Sequence, residues 1–256
     1  MEKLTIIKVG GKIVEEEESL KQLLNDFFKI EGNKILVHGG GRSATKLGER
    51  LGIESRMING RRITDKETLK VVTMVYGGLV NKNIVAGLQA LGMNALGLTG
   101  ADMNIIRSEK RPVKDIDYGY AGDVKEVNAD TLSFLIAQGV IPVLAPLTHD
   151  RQGNILNTNA DTIAGETAKA LAQIYDVSLI YCFEKKGVLM DENDDDSVIP
   201  HLNRSDFDKL VEQQIIQGGM IPKLENAFES IESGVKEVII MSASQIGNNN
   251  GTTISI

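Results

Sequence analysis

A lysine at the end of a buried strand is costly unless something matches its charge. Lys8 holds that position, closing the apolar run Leu4-Thr5-Ile6-Ile7-Lys8-Val9, and Gly10-Gly11 follow directly. A second glycine cluster, His38-Gly39-Gly40-Gly41, follows another apolar run. A third, Gly218-Gly219-Met220-Ile221-Pro222-Lys223, leads into a helical pattern. Glycine just past a strand lets backbone N–H groups approach an anion, and a helix start beyond it adds a positive dipole. Two further stretches carry polar groups: Asn59-Gly60-Arg61-Arg62-Ile63-Thr64 and Asn157-Thr158-Asn159-Ala160-Asp161. Lysines and arginines around glycine loops make a place where two anions can be held head to head. Phosphoryl transfer from ATP to a carboxylate needs such a place, because its catalysis is mostly positioning and charge stabilisation. A carboxylate acceptor is already ionised at neutral pH, so no general base is required. Any one of these residues could instead serve a tight turn or a structural ion pair. Lys8 suits that plainer role least.

Two common phosphate signatures do not account for the loops. Gly11-Lys12 is followed by Ile13, so G-x-x-x-x-G-K-[ST] is absent and the chain is not a P-loop ATPase. Gly39-Gly40-Gly41-Arg42-Ser43-Ala44 satisfies G-x-G-x-x-A, but no apolar strand ending in an acidic residue lies about 20 positions on. Residues 55–65 are instead rich in Arg and Gly, which argues against an NAD-dependent oxidoreductase. His38, His149 and His201 are scattered, so no zinc site is expected.

The elements that must position these groups follow from apolar spacing. Near-continuous apolar runs at 4–9, 34–37, 140–144, 178–182 and 235–241 read as strands buried on both faces. Helical patterns lie at 16–28, 43–51, 67–91, 130–138, 162–174, 206–213 and 223–232. The alternation predicts an α/β fold with helices on both faces of a mainly parallel sheet. Residues 104–127 break it, and read as an antiparallel hairpin insertion with β-like pieces at 104–107 and 112–116. The acidic runs 15–18 and 191–196 read as a solvated helix start and a polar loop, and 248–251 as a turn.

The 256 residues suffice for one large core or for two lobes on one sheet. A net charge of −7 argues against a nucleic-acid or membrane-surface partner. Cys182 is the single cysteine, which excludes an intramolecular disulfide and suits a reducing, cytoplasmic setting. No signal-peptide pattern opens the chain, and no apolar run approaches the roughly 18 residues of a membrane span.

The motifs I-K-V-G-G, V-H-G-G-G, N-G-x-R-x-T, N-x-N-A-D and G-G-M-I-P-K, in this order, resemble those of the amino acid kinase superfamily, and within it the acetylglutamate kinases of its acylglutamate branch. The likeness runs through nearly the whole chain, to a closing Gly251-Thr252-Thr253-Ile254. It implies a three-layer αβα sandwich whose two lobes share the sheet: 1–172 for the acyl amino acid and dimerisation, 173–256 for ATP. It implies ATP-dependent phosphorylation of the side-chain carboxylate of an N-acyl-L-glutamate, in arginine biosynthesis, with Mg²⁺ riding on the phosphates. Carried over by position, Lys8 and Lys223 stabilise the transferring phosphoryl group and Asp161 holds those lysines. Gly10, Gly11 and Gly40 offer N–H groups to the phosphoryl. Gly40, Gly41, Arg62 and Asn157 bind the acyl amino acid, Arg62 clamping its α-carboxylate, for which a planar fork is well shaped.

The nucleotide loop departs from the family's T-D-V-x-G-V. It reads Cys182-Phe183-Glu184-Lys185-Lys186-Gly187-Val188, so Glu184, Lys185, Lys186 and Gly187 are the nucleotide-binding candidates. Strand one begins directly, where arginine-inhibited members carry an extra N-terminal helix. The resemblance therefore implies an arginine-insensitive homodimer, with the helix 67–91 and its Gly77-Gly78 as a candidate contact. Two alternatives remain: another amino acid kinase such as a glutamate 5-kinase, and a non-catalytic nucleotide or amino-acid sensor on the same fold. Retention of Lys8, Asp161 and Lys223 together argues against the sensor.

Overall fold

The structure is a computed structural model and describes residues 1–58, 60–246 and 251–256. Asn59 of the N-G-x-R stretch, and most of the turn expected at 248–251, lie outside the described residues. In chain order the strands are β1 (Lys3–Val9), β2 (Asn33–His38), β3 (Met57–Ile58), β4 (Arg61–Arg62), β5 (Ala95–Leu98), β6 (Ile106–Lys110), β7 (Gly122–Val127), β8 (Ile141–Leu144), β9 (Leu147–His149), β10 (Ile155–Asn157), β11 (Asp176–Phe183), β12 (His201–Asn203), β13 (Glu237–Ser242) and β14 (Thr252–Ser255). The α-helices are α1 (Gly11–Glu15), α2 (Glu17–Lys29), α3 (Gly41–Arg50), α4 (Lys66–Val72), α5 (Asn81–Ala90), α6 (Ala129–Ala137), α7 (Ala160–Leu171), α8 (Arg204–Glu212) and α9 (Met220–Glu232).

Eight strands form one sheet in the order β12-β14-β13-β11-β1-β2-β8-β5, with β13–β14 its one antiparallel pairing among the described residues. The apolar runs are continuous because both faces are covered. Ile6, Ile35, Leu179 and Ile240 point into a core shared with α6, α7, α8 and α9. Their neighbours Ile7, Leu36, Ile180 and Met241 point into a second core under α2, α3, α4 and α5. The expected three-layer sandwich is therefore present. β5 escapes a periodicity reading because Ala-Leu-Gly-Leu is a short edge strand with only its first and last residues buried.

The helix expected at 67–91 runs from Lys66 to Ala90 through a π-helical stretch, Thr73–Val80. It is long and apolar enough to cross a membrane, yet Val71, Val72, Val75, Tyr76, Val80, Ile84 and Leu88 bury its inner face in the core. The hairpin insertion is present as antiparallel β6 and β7, but 112–116 is the connecting loop and the returning strand lies later, at Gly122–Val127. It joins β9 and β10 in a small sheet beside the carboxyl ends of the main strands. One expectation for the acidic runs fails. Glu16, Glu17 and Glu18 are exposed, but the Glu15 side chain is only 8% exposed, because its carboxylate accepts from Ser43 N–H at 2.6 Å.

Candidate active site

β1 and β2 are adjacent and parallel, so Gly10-Gly11 and Gly39-Gly40-Gly41 emerge side by side. The Gly39 N–H donates to Val9 O at 3.0 Å. A Cβ on Gly39 would lie 3.0 Å from Gly11 N, and one on Gly11 would lie 3.4 Å from Gly40 N and Gly41 N. The two loops thus touch backbone to backbone, which a side chain would prevent. Among the described residues nothing accepts a hydrogen bond from the N–H groups of Gly40 or Gly41.

Cavities open on the two sides of these loops, and Gly41 lines both. The first, 190 Å³, is lined by Gly40, Gly41, Arg62, Tyr76 and Asn157 among others. The second, 450 Å³, is lined by Lys8, Gly10, Gly11, Arg42, Glu184, Lys223 and their neighbours. The four residues carried over for the acyl amino acid thus share one cavity; of those carried over for phosphoryl chemistry, Lys8, Gly10, Gly11 and Lys223 border the other, Gly40 lies in the first, and Asp161 lines neither.

In the first cavity Arg62 is buried on β4. Its Nη2 donates to Gly41 O at 2.9 Å and to Thr45 Oγ1 at 3.0 Å, and its Nη1 donates to Ser55 Oγ. Among the described residues no carboxylate lies within 4 Å of it, so a buried guanidinium keeps an unbalanced positive charge that a bound carboxylate would satisfy. Asn157 Nδ2 donates to Thr64 Oγ1 at 2.9 Å, leaving its amide oxygen for a ligand.

The N-x-N-A-D stretch divides its work. Asn157 lines the cavity, Asn159 caps α7 by accepting from Asp161 N–H at 2.7 Å and Thr162 N–H at 3.1 Å, and Asp161 turns back to β1. Its Oδ1 lies 2.7 Å from Lys8 Nζ, with the two side chains 14% and 9% exposed. This contact answers the cost of a lysine in a buried strand. Lys223, at the start of α9, places its ammonium 3.8 Å from the centre of the Phe183 ring, while Lys8 lies 5.2 Å from the same ring. Burial, and then the nearby Lys8, push the Lys223 ammonium below its ordinary pKa, opposed by Asp161 and Glu184. Asp161 thus pairs directly with Lys8 and acts on Lys223 only at longer range, which leaves positive charge available to an anion.

The nucleotide-loop candidates are dispersed. Glu184 pairs with Arg42 at 2.9 Å. Lys185 pairs with Asp195 at 2.9 Å and Lys186 with Asp196 at 2.5 Å, so both lysines reach the acidic loop 191–196. Gly187 is buried against Thr252, whose Oγ1 would lie 2.8 Å from a Cβ there. Among the described residues no group of three or more His, Cys, Asp or Glu could hold a metal ion.

Sequence reasoning, which looks for the acyl pocket's lining in the hairpin insertion and in 65–76, gives two contributors no role of their own. Tyr76, from the π-helical stretch, packs its ring so tightly on Gly40 that a Cβ there would lie 2.8 Å away. His38 is fully buried; its Nδ1 bonds Gly39 O at 2.7 Å and its Nε2 lies 3.1 Å from Asn81 Nδ2, which also donates to Val143 O. Asn81 can only donate from Nδ2, so the imidazole is neutral with its proton on Nδ1. Burial pushes its pKa down to about 4. Because the peptide is planar and trans, turning Gly39 C=O toward the ring turns Gly40 N–H the opposite way. The V-H-G-G-G motif held this signal, since a histidine ending a buried strand needs polar partners.

A model of the Amino acid kinase family matches residues 3–242. The acetylglutamate kinase of Parabacteroides distasonis is 74% identical over 254 residues, covering 99% of this chain and 100% of that protein. That of Bacteroides thetaiotaomicron is 73% identical, covering 99% of this chain and 98% of that protein. Among solved structures, one from Streptococcus mutans UA159 superposes with a TM-score of 0.79 at 30% identity and covers 98% of both chains. The glycine loops, the Lys8–Asp161 pair and the shared sheet thus sit within a likeness that spans the chain, which belongs to the amino acid kinase family.

Proposed function

We propose that this chain transfers the γ-phosphoryl group of ATP to the side-chain carboxylate of N-acetyl-L-glutamate, forming an acyl phosphate and ADP, a step of arginine biosynthesis. The observation that carries the reading is the pairing of a cavity holding a buried Arg62, which meets no carboxylate among the described residues, with a second cavity holding Lys223 and the Asp161-paired Lys8, joined at glycine loops where the Gly40 and Gly41 N–H groups have no acceptor among the described residues. In it Arg62 takes the α-carboxylate and Asn157 and Gly41 orient the rest of the acyl amino acid. A side-chain oxygen attacks phosphorus in line, the bond to the ADP oxygen breaks, and no proton has to move. Lys8, Lys223 and the N–H groups of Gly11 and Gly40 meet the charge that spreads over the phosphoryl oxygens. Asp161 keeps the two ammonium groups in place. Mg²⁺, brought by the nucleotide, would neutralise its phosphates.

In this reading residues 1–172 form the acyl amino acid lobe and 173–256 the ATP lobe, working in the cytoplasm. The chain acts as a homodimer through the helix Lys66–Ala90, where Met74 and Leu79 are 51% and 56% exposed and give an apolar surface for a second copy. The test is ATP consumption with N-acetyl-L-glutamate, N-succinyl-L-glutamate, L-glutamate and L-aspartate side by side, hydroxylamine trapping any acyl phosphate. Turnover with the acetylated substrate is expected. Turnover confined to a free amino acid would replace this reading with another amino acid kinase.

A further inference from the structure

The second cavity carries more positive charge than the transferred group requires. Each glycine loop is followed by a cation: Lys12 after Gly10-Gly11, and Arg42 after Gly39-Gly40-Gly41. Both line the cavity together with Lys8 and Lys223. Both also reach one carboxylate. Arg42 Nη2 donates to Glu184 Oε1 at 2.9 Å, and Lys12 Nζ lies 3.8 Å from Glu184 Oε2. Four cations, Lys8, Lys12, Arg42 and Lys223, therefore border the hollow, against the carboxylates of Asp161 and Glu184. Lys185, also in the lining, is already held by Asp195 at 2.9 Å.

Glu184 differs from Asp161 in one respect that matters. The Lys8–Asp161 pair is nearly buried, whereas Lys12, Arg42 and Glu184 are 45%, 57% and 57% exposed. Exposed ion pairs are weak and exchange readily for a better anion. A polyphosphate offers several oxygens and more than one negative charge. A guanidinium can grip two such oxygens, and an ammonium can serve them as a point charge.

We infer that Lys12 and Arg42 form a subsite for the non-transferred phosphates of the nucleotide, and that Glu184 is the internal anion they give up when it binds. The inference rests on the ATP reading above and adds to it the residues that hold the leaving group. It also assigns a purpose to the Glu184 that departs from the family's aspartate.

Isothermal titration with ADP and with AMP tests it on the unmodified chain and on Lys12→Met, Arg42→Met and Glu184→Gln. No acceptor is needed. Each cation variant is expected to lose about tenfold or more in ADP affinity, the scale of one charge-assisted hydrogen bond, and to lose less with AMP. Glu184→Gln is expected to bind ADP more tightly. Unchanged ADP affinity in both cation variants overturns the subsite while leaving the ATP reading intact. Weaker ADP binding by Glu184→Gln overturns the exchange. An unmodified chain that binds neither nucleotide overturns both this inference and the ATP reading.

Discussion

Replacing Lys8 by methionine separates a role in chemistry from a role in folding. At the 2.7 Å Lys8–Asp161 separation, the raw Coulomb attraction is about 6 kcal/mol at an effective dielectric constant near 20. Most of that is offset by desolvation of both groups. Removing one partner of a buried pair still costs about 3–5 kcal/mol when the other charge is left bare. Here Asp161 is not left bare, because Lys223 lies over the same Phe183 ring and already feels the carboxylate. The expected stability loss is therefore smaller, about 1–3 kcal/mol, and the variant folds. In the proposed mechanism both lysines act on the transferring group, so catalysis has no such substitute. The turnover number should fall by about 10²–10³, the effect of removing one preorganised donor. The KM for the acyl amino acid should hardly change, because Lys8 does not line that cavity. Urea denaturation and a coupled ADP-release assay measure the two effects. A turnover number within tenfold of the unmodified chain would refute the assigned role, as would a large rise in acyl amino acid KM without loss of turnover.

Arg62→Gln should raise the KM for N-acetyl-L-glutamate by about tenfold or more while leaving the ATP KM in place, which initial-rate kinetics in each substrate would show. Gly40→Ala forces its methyl group to within 2.8 Å of the Tyr76 ring, so stability should fall by about 1–3 kcal/mol, with weaker acyl amino acid binding, both measurable on one preparation. His38 gives a pH dependence of known sign. Folded, the imidazole takes a proton only near pH 4, whereas unfolded it does so near its ordinary 6.5. Stability from this group is complete above pH 6.5 and declines as the pH falls toward 4, by about 2 kcal/mol at pH 5. Urea denaturation at pH 7 and pH 5 should show that part of the loss disappear in His38→Gln; an identical loss in both proteins would count against it.

Much of this site could be read from residue types because its requirements are local. A lysine in a run of buried aliphatics, two glycine loops after adjacent strands, and Asn157, Asn159 and Asp161 at alternate positions each state a physical need in a few residues. What escaped depends on distant partners. Glu15 reads as part of an exposed acidic run until Ser43 is brought against it. His38 finds Asn81, and Gly40 finds Tyr76, across the helix Lys66–Ala90, whose π-helical turn no hydrophobic period reveals. Lys185 and Lys186 look free in sequence, but the acidic loop that folds back to meet them lies ten residues on. Short edge strands such as β5 carry too few buried positions to register.

The central claim is direct attack by the acceptor carboxylate on the nucleotide. It is tested most directly with N-acetyl-L-glutamate carrying ¹⁸O in its side-chain carboxylate, incubated with ATP and the chain, then treated with hydroxylamine. Hydroxylamine attacks the carbonyl carbon of an acyl phosphate and releases phosphate that keeps the bridging oxygen. The account predicts inorganic phosphate bearing a single ¹⁸O, formed together with the hydroxamate. Phosphate without label would mean that water, and not the carboxylate, received the phosphoryl group, and would contradict it.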